Sequence, residues 1–600
     1  MGPSPPTPPQ ARPDGSRRLE PSPARRWALL AGAVGYLGIA AGMYAHVLAL
    51  SVTRGTTCAC SDVSLFAWFF EWPLAAIRSG HNPFYSSAIF HPQGLNLLAN
   101  TSVGVWSFVL LPVTAAFGPF ASLNVAVIAA PALSGIAAMW VAQRWVRSSA
   151  AAFLAGALYA FSPFVLFQSA GTHLMVTSLA VPPLVLACLD ELFWRRRHSP
   201  VKVGVALGAL LVVQFFSGTE LLVMLAVAAA LSLLVLAVAA LIADRAATIT
   251  AIRAGLPGLA AAAVVSVVVL AWPAWYALAG PGHFSGPVWP DATPAQASIR
   301  SFFVAVPGQG LWWVPHWGRF MRPTYLGPPL IATVLVGLVV FRRDARLRAV
   351  AVLTGVVAWL ALGKRYGFSA WHALSHLPIL NDVMNERFSA LLFLPAGLAL
   401  ALVLADLVRW RPRVLVAVLA VAVGLACATP FVLDAVDALP YAASKVWVPE
   451  WYQQHAASLP AGQVVLGFPF FNTSADLLSV QAIYGMHYAV VGGTGPEWID
   501  ARQGREEPGY KVIKLVASTC VQQAFACVPT PLDARASATQ RTALVSALRG
   551  WGVTLVVVPF DRGPNTSGVA RKPAVIESWL SSVLGPPRVQ SASWVWQLAH

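Results

Sequence analysis

Charge is scarce in this chain: Asp, Glu, Lys and Arg make up 11% of its 600 residues, while hydrophobic residues make up 57%. A typical soluble domain carries roughly 25% charged residues. So few charges could not cover a water-exposed surface of this size, which excludes an ordinary soluble globular protein. Cysteine is scarce too, with six in the whole chain. That is too few for a disulfide scaffold, and no CxxC…CxxC zinc spacing occurs. There is no HExxH helix, no dinucleotide-binding glycine fingerprint and no P-loop. Acidic residues are the scarcer sign, 24 against 40 basic ones, for a net charge of +16. A nucleic-acid-binding face would gather those basic residues into a patch or stripe. Here they stand in short clusters between apolar runs, the pattern of positive-inside membrane topology.

What is present in abundance is apolar sequence in runs of membrane-crossing length, about 20 residues. The runs are 27–52, 120–143, 150–169, 173–193, 201–217, 220–242, 256–279, 325–341, 348–362, 388–408 and 413–432. They predict a polytopic α-helical membrane domain of about eleven spans over 27–432. Residues 1–26, rich in Pro and Arg, read as a disordered cytoplasmic tail. The run after them is too long for a signal peptide and has no clear cleavage site, so it reads as a retained helix. Arg144/Arg147, Arg195–Arg197, Arg245/Arg253, Arg342–Arg348 and Arg409–Arg413 fall at every second connection. Placing them in the cytoplasm with the tail puts the C-terminus outside, with outer loops at 53–119, 280–324 and 363–387. Residues 103–118 are apolar but short and interrupted by Pro112. They read as a re-entrant or membrane-lying element, because counting them as a span would invert every later loop.

Residues 433–600 change character. QVVLGFPF and VTLVVVPF read as buried strands and DARASATQRTALVSALRGWG as a helix between them, so a small extracytoplasmic α/β domain is expected. Cys188 and Cys427 lie in apolar runs and read as buried thiols. Cys520 and Cys527 suit a disulfide if this domain faces an oxidising side. Cys58 and Cys60 receive no assignment.

The first outer loop holds the densest chemistry. In SDVSLFAWFFEWPLAAIRSG, the apolar residues at 65, 66, 69, 70, 74 and 77 have helical spacing and predict a helix lying along the membrane interface. Two roles fit Asp62: a helix cap, or a general base taking the proton of an acceptor hydroxyl. Glu71 reads as a solvated residue. His81 and His91 in the same loop, and His173 and Glu220 at the outer ends of spans, are candidate substrate contacts. Each of the last two has a structural alternative as an ordinary helix-end residue. Arg387, in NERFSALLF, can hold two phosphate oxygens through its guanidinium. Lys364 and Arg365 are second candidates for the same task, and snorkelling to the interface is the structural alternative for all three. Trp312 and Trp313 suit stacking on a sugar ring, against the alternative of an interfacial aromatic belt.

The sequence resembles the GT-C superfamily, membrane glycosyltransferases that use polyprenyl-phosphate-linked sugars, and within it bacterial members of uncertain substrate. The likeness rests on Asp62 and Trp68 in a D-x-x-x-x-x-W helix. It continues in Asn82-Pro83-Phe84, Pro92, Gly94, Asn96 and Asn100-Thr101-Ser102 of an NPF…PxGxNL…NTS stretch. It runs over the first seven spans and on to NERF, but does not cover 433–600. The resemblance implies an inverting transferase in a bacterial plasma membrane, involved in cell-envelope or cell-wall biogenesis. A sugar would pass from a polyprenyl-phosphate donor to a glycan or glycolipid acceptor on the outer face. Asp62 would act as base, and Arg387, Lys364 and Arg365 would bind the donor phosphate. Many family members pair two acids in this loop; here Ser61-Asp62 offers one, which puts a divalent cation (Mg or Mn) in doubt and leaves no metal ligands to assign. The competing readings are a non-catalytic component, a transporter or a ligase of a polysaccharide assembly system. A transporter would show repeats and midplane charges, and neither is evident here.

Overall fold

A computed structural model describes residues 23–57, 61–99, 103–283, 297–304, 323–364, 366–377, 379–410, 414–471, 476–493, 506–523, 526–561 and 569–598. Helices dominate up to residue 438. We number them α1 (Pro23–Met43), α2 (Ser61–Ser79), α3 (Gly104–Val109), α4 (Leu111–Phe117), α5 (Pro119–Trp145), α6 (Ser149–Ala160) and α7 (Pro163–Ala170). The single helical path Leu174–Arg195 is α8. There follow α9 (Pro200–Ser217), α10 (Thr219–Ala243), α11 (Arg245–Ala279), α12 (Pro328–Val340), α13 (Ala345–Ala361), α14 (Ser389–Trp410) and α15 (Val414–Ala438). Each apolar run read from the sequence holds a helix among the described residues. Among the described residues, eight helices are long and apolar enough to cross a membrane, and the pair α6–α7, bent by 41°, makes a ninth. At 13 and 17 residues, α12 and α13 are shorter than the rest.

Burial separates central helices from peripheral ones. The apolar stretch of α14 is 83% buried and that of α5 67%, whereas α11 reaches 17% and α10 22%. The first two are therefore the axis of the bundle. The others leave apolar side chains such as Val264, Val267 and Val268 facing outward, where lipid tails suit them as well as a protein core would. One end of the bundle is held by arginines. Arg25 donates to the Gln143 carbonyl at 2.8 Å, Arg144 to Glu191 at 2.9 Å, Arg195 to Asp190 at 2.6 Å and Arg346 to the Trp145 carbonyl at 3.4 Å. The N-terminal arginine and those of three connections thus meet at one end of the bundle.

The other end carries the first loop and the C-terminal domain. The helix expected to lie along the interface is instead enclosed. Residues 63–73 of α2 are buried without a break, because α2 packs between the bundle helices α3–α5 and the domain helix α17 (Asp476–Ile483). Trp68 donates to the Gln481 side chain at 2.6 Å and Ser479 to Ser64 at 2.8 Å. The stretch 103–118 forms α3 and α4, six and seven residues long, each too short to cross.

The domain is α/β. Strands β5 (Val464–Gly467), β6 (Ala489–Val490), β9 (Val553–Pro559), β10 (Arg588–Gln590) and β11 (Ser593–Gln597) form one sheet in the order β10-β11-β9-β5-β6. β5 is parallel to both neighbours, so its two faces need covering, and the unbroken apolar run VVL meets that need. The helix Ala538–Gly550 precedes β9 and begins with a Ser537/Gln540 capping box. The β6 edge is covered by the first loop: the amides of Phe90 and His91 donate to the carbonyls of Gly492 and Val490, and that of Val490 to Ala88. An unpaired edge would recruit other chains, and here the loop takes its place. Cys520 is disulfide-bonded, whereas Cys188 and Cys427 are free.

Candidate functional site

At the domain end, α7 and α8 are joined by a turn that begins with Gly171. Thr172 takes a left-handed φ of +61°, a conformation uncommon for a non-glycine residue. Surrounding bonds hold it there: the Thr57 hydroxyl lies 3.1 Å from the Ala170 carbonyl and 3.0 Å from the Thr172 hydroxyl. The His173 amide donates back to the Gln168 carbonyl at 3.1 Å. The turn therefore folds the imidazole of His173 over α7. Its Nδ1 meets Oε1 of Gln168, and its Nε2 lies 2.9 Å from Oδ2 of Asp62. Asp62 sits in the first turn of α2. Its carboxylate is directed at the histidine.

A second pair stands beside the first. Glu220 in the first turn of α10 accepts from Nη1 of Arg387, and its other oxygen accepts from the Met384 amide at 3.3 Å. Both side chains of this pair are 17% exposed. The two pairs are neighbours because α10 and α8 start side by side. A Cβ on Gly218 would lie 2.3 Å from the Met175 carbonyl oxygen, so only glycine permits that approach. Gly218 is two residues from Glu220, and Met175 two residues from His173. Asn385 donates to the Ala361 carbonyl at 2.8 Å and anchors the NERF turn that carries Arg387.

The carboxyl of Glu71 is pushed up to about 7 by burial, partly opposed by Arg78. At 7% exposure it is not the solvated residue its polarity suggested; the domain covers that stretch of α2.

Four residues proposed from sequence thus form two pairs at this end of the bundle: Asp62 with His173, and Glu220 with Arg387. Others do not. His81 lies two residues beyond the far end of α2, and the 17 residues of helix from Asp62 to Ser79, at 1.5 Å per residue, separate the two ends by about 26 Å. The backbone amide of His91 docks the loop on the domain, while its ring Nδ1 lies 3.1 Å from the Ser87 carbonyl of the same loop. Lys364 is exposed. Arg365, Trp312 and Trp313 fall outside the described residues. No group of three or more His, Cys, Asp and Glu side chains able to hold a metal ion occurs among the described residues. Two asparagines of the loop motif hold the loop in place. Asn82 donates to the Tyr276 hydroxyl, and Asn96 to the carbonyls of Tyr276 and Pro281, so the hairpin of β2 (Tyr85–Ser86) and β3 (Leu95–Asn96) is tied to the end of α11. The sequence reading missed Gln168, Thr57 and Gly218. A lone amide inside an apolar run was the available signal for Gln168.

No family model matches the chain, and no curated protein matches its sequence. Solved structures do match. The arabinofuranosyltransferase AftD from Mycobacteria superposes with a TM-score of 0.52 at 16% identity, over 96% of this chain and 41% of that one. The archaeal oligosaccharyltransferase AglB from Archaeoglobus fulgidus, solved with an inhibitory peptide and a dolichol-phosphate, gives a TM-score of 0.47 at 12% identity, over 89% and 70% of the two chains. The chain thus spans about two fifths of the arabinofuranosyltransferase's length. The architecture is GT-C-like, with a C-terminal α/β domain.

Proposed function

We propose that this GT-C-fold membrane protein is a glycosyltransferase that moves a sugar from a polyprenyl-phosphate donor to a glycan or lipid acceptor in the cell envelope. The observation that carries the reading is the meeting of Asp62–His173 and Glu220–Arg387 at the domain end of the bundle. A carboxylate and an arginine are the two groups that such a transfer needs. The arginine-rich end is the cytoplasmic one by the positive-inside rule. The disulfide of Cys520 supports an oxidising, extracytoplasmic side for the domain, and the site then faces outward at the membrane surface.

In this reading the acceptor hydroxyl gives its proton to Asp62 as its oxygen attacks the anomeric carbon. The bond from that carbon to the phosphate oxygen breaks, and its electron pair leaves with the lipid phosphate. The configuration at the carbon inverts in the single displacement. Arg387 neutralises the departing phosphate with charge-assisted hydrogen bonds, exchanging Glu220 for the phosphate oxygens. Purified protein offered a panel of radiolabelled polyprenyl-phosphate sugars should transfer label to an envelope glycan fraction. Asp62→Asn should abolish that transfer while Asp14→Asn, in the N-terminal tail, leaves it intact. Equal activity in the two variants would refute the role of Asp62.

A further inference from the structure

A groove opens between α1, α6–α7 and α15, in the half of the bundle nearest the domain. Its cavity of about 420 Å³ is lined only by apolar side chains and one glycine. Gly42 and Met43 come from the end of α1, Leu158 from α6 and Leu166 from α7, across the 41° bend. On α15 the lining residues Ala428, Phe431, Val432, Ala435, Val436 and Leu439 recur at helical spacing and form one stripe. From Ala428 to Leu439 the stripe runs about 16 Å at 1.5 Å per residue. That is about half of the roughly 30 Å hydrocarbon core, the depth of one leaflet. With no polar side chain on its walls, the groove offers nothing to a head group. A hydrocarbon chain suits it, since the walls are as apolar as the surrounding lipid.

The position of the groove identifies the chain. At its domain-side end the phenol of Tyr441 donates to the Leu166 carbonyl at 2.9 Å, and that of Tyr44 to the Ser169 carbonyl at 3.3 Å. Two residues beyond Leu166 on the same helix, Gln168 meets the His173 ring, which faces Asp62. The start of α10 and the NERF turn, which hold Glu220 and Arg387, contribute no lining residue. We infer that the groove seats the hydrocarbon chain of a lipid-anchored acceptor, whose hydroxyl-bearing head is thereby presented to Asp62. Arg387 is left to the phosphate of the donor. Seating the chain turns the docking of the head into an intramolecular step, which raises its effective concentration at the base. That the chain belongs to an acceptor rests on the glycosyltransferase reading, whereas the seating of a chain rests on the groove alone.

Two glycines of α1 make a matched test. A Cβ on Gly42 would meet nothing within 4 Å, so Gly42→Leu places its side chain in the groove without displacing a neighbour. Gly38, one turn earlier, is equally unobstructed and does not line the groove, so Gly38→Leu is the control. Each sugar of an acceptor panel is offered in nanodiscs as its methyl glycoside and as its hexadecyl glycoside, with the same polyprenyl-phosphate donors. Relative to Gly38→Leu, Gly42→Leu should raise KM for the hexadecyl acceptors about tenfold and leave KM for the donor and the methyl glycosides unchanged. Partition of the chain into the bilayer is the same for both variants and cancels. A rise in the donor KM would assign the groove to the donor's prenyl chain and overturn the inference, as would equal KM values in the two variants. Binding is read apart from activity with a hexadecyl glycoside carrying a mid-chain diazirine. Photolabelling of peptides holding Leu158 and Phe431 should be strong in the unmodified protein and Gly38→Leu, and lost in Gly42→Leu. Equal labelling in all three proteins removes the groove as a chain site. If labelling follows the expected pattern while no acceptor takes sugar, the acceptor assignment falls with the glycosyltransferase reading and the chain site stands.

Discussion

The two ends of the helical bundle both carry partly buried ion pairs, yet they are built differently. At the arginine end the carboxylates are saturated. Glu191 accepts from Arg144, from the backbone amides of Arg197 and His198, and from the His198 ring, while Asp190 accepts from Arg195 and the Trp145 indole. Charges wrapped in this way are locked, which suits a structural clasp between α5 and α8. At the domain end, His173 faces Asp62, and Arg387 faces Glu220 through one of its five N–H donors. A guanidinium held by one bond keeps the rest of its fork for a ligand. The same residue types thus form a clasp at one end and, in the function proposed above, a site at the other.

That contrast can be broken in several ways, the largest first. Asp62→Asn should lower transfer by roughly 10²–10⁴-fold, the usual weight of a general base, with an unchanged melting temperature; a parallel loss of melting temperature would make Asp62 structural. Arg144→Gln should do the reverse. It leaves Glu191 buried beside a lost partner and should cost about 3 kcal/mol of stability, measured by denaturation in detergent, while kcat/KM for the donor stays constant. Glu71→Gln tests how tightly the domain closes over α2. The folded carboxyl lies near 7 against an ordinary 4.5, so the folded state binds the extra proton. Stability should therefore fall as pH rises from about 4.5 to 7, by about 3 kcal/mol in total, then level off. The glutamine variant should not show the decline, and a matching decline in both proteins would place the cause elsewhere. Arg387→Gln should reduce kcat/KM by roughly 10–100-fold through loss of charge-assisted bonds and leave stability less affected than Arg144→Gln does. The smallest effect belongs to Glu220→Gln, which removes the competitor for Arg387 and should tighten binding of an unreactive polyprenyl phosphate about fivefold. Weaker binding would mean that Glu220 is needed to hold the arginine in place.

Much of this architecture was legible in the sequence, because burial in lipid leaves few options. Backbone polar groups must be satisfied within each span, so apolar runs became helices at the places read from composition. The arginine clusters foretold one shared end, since Arg25, Arg144, Arg195 and Arg346 are drawn to the same neighbouring backbone and acids. Strand patterns such as QVVLGFPF were equally readable, as a parallel strand covered on both faces needs an unbroken apolar run. The misreadings share one cause. α2 was taken for a helix at the membrane surface and Glu71 for a solvated residue because local periodicity does not reveal that a domain 400 residues later will cover them. His81 and His91 stand out as chemical residue types, yet one lies beyond the far end of α2 and the backbone of the other docks a loop on a sheet edge.

The amino-acid sequence by itself determined the medium, the helices, the end to which the arginines go and the identity of four candidate site residues. Composition and local pattern decide those matters, and each is a property of a short stretch. Tertiary structure alone decided the pairing. Glu220 and Arg387 are 167 residues apart and meet because Gly218 lets α10 start against Met175 of α8. Asp62 meets His173 because a left-handed Thr172 folds the turn back over Gln168. Such contacts depend on which helix ends lie side by side, and no local property of the chain encodes that.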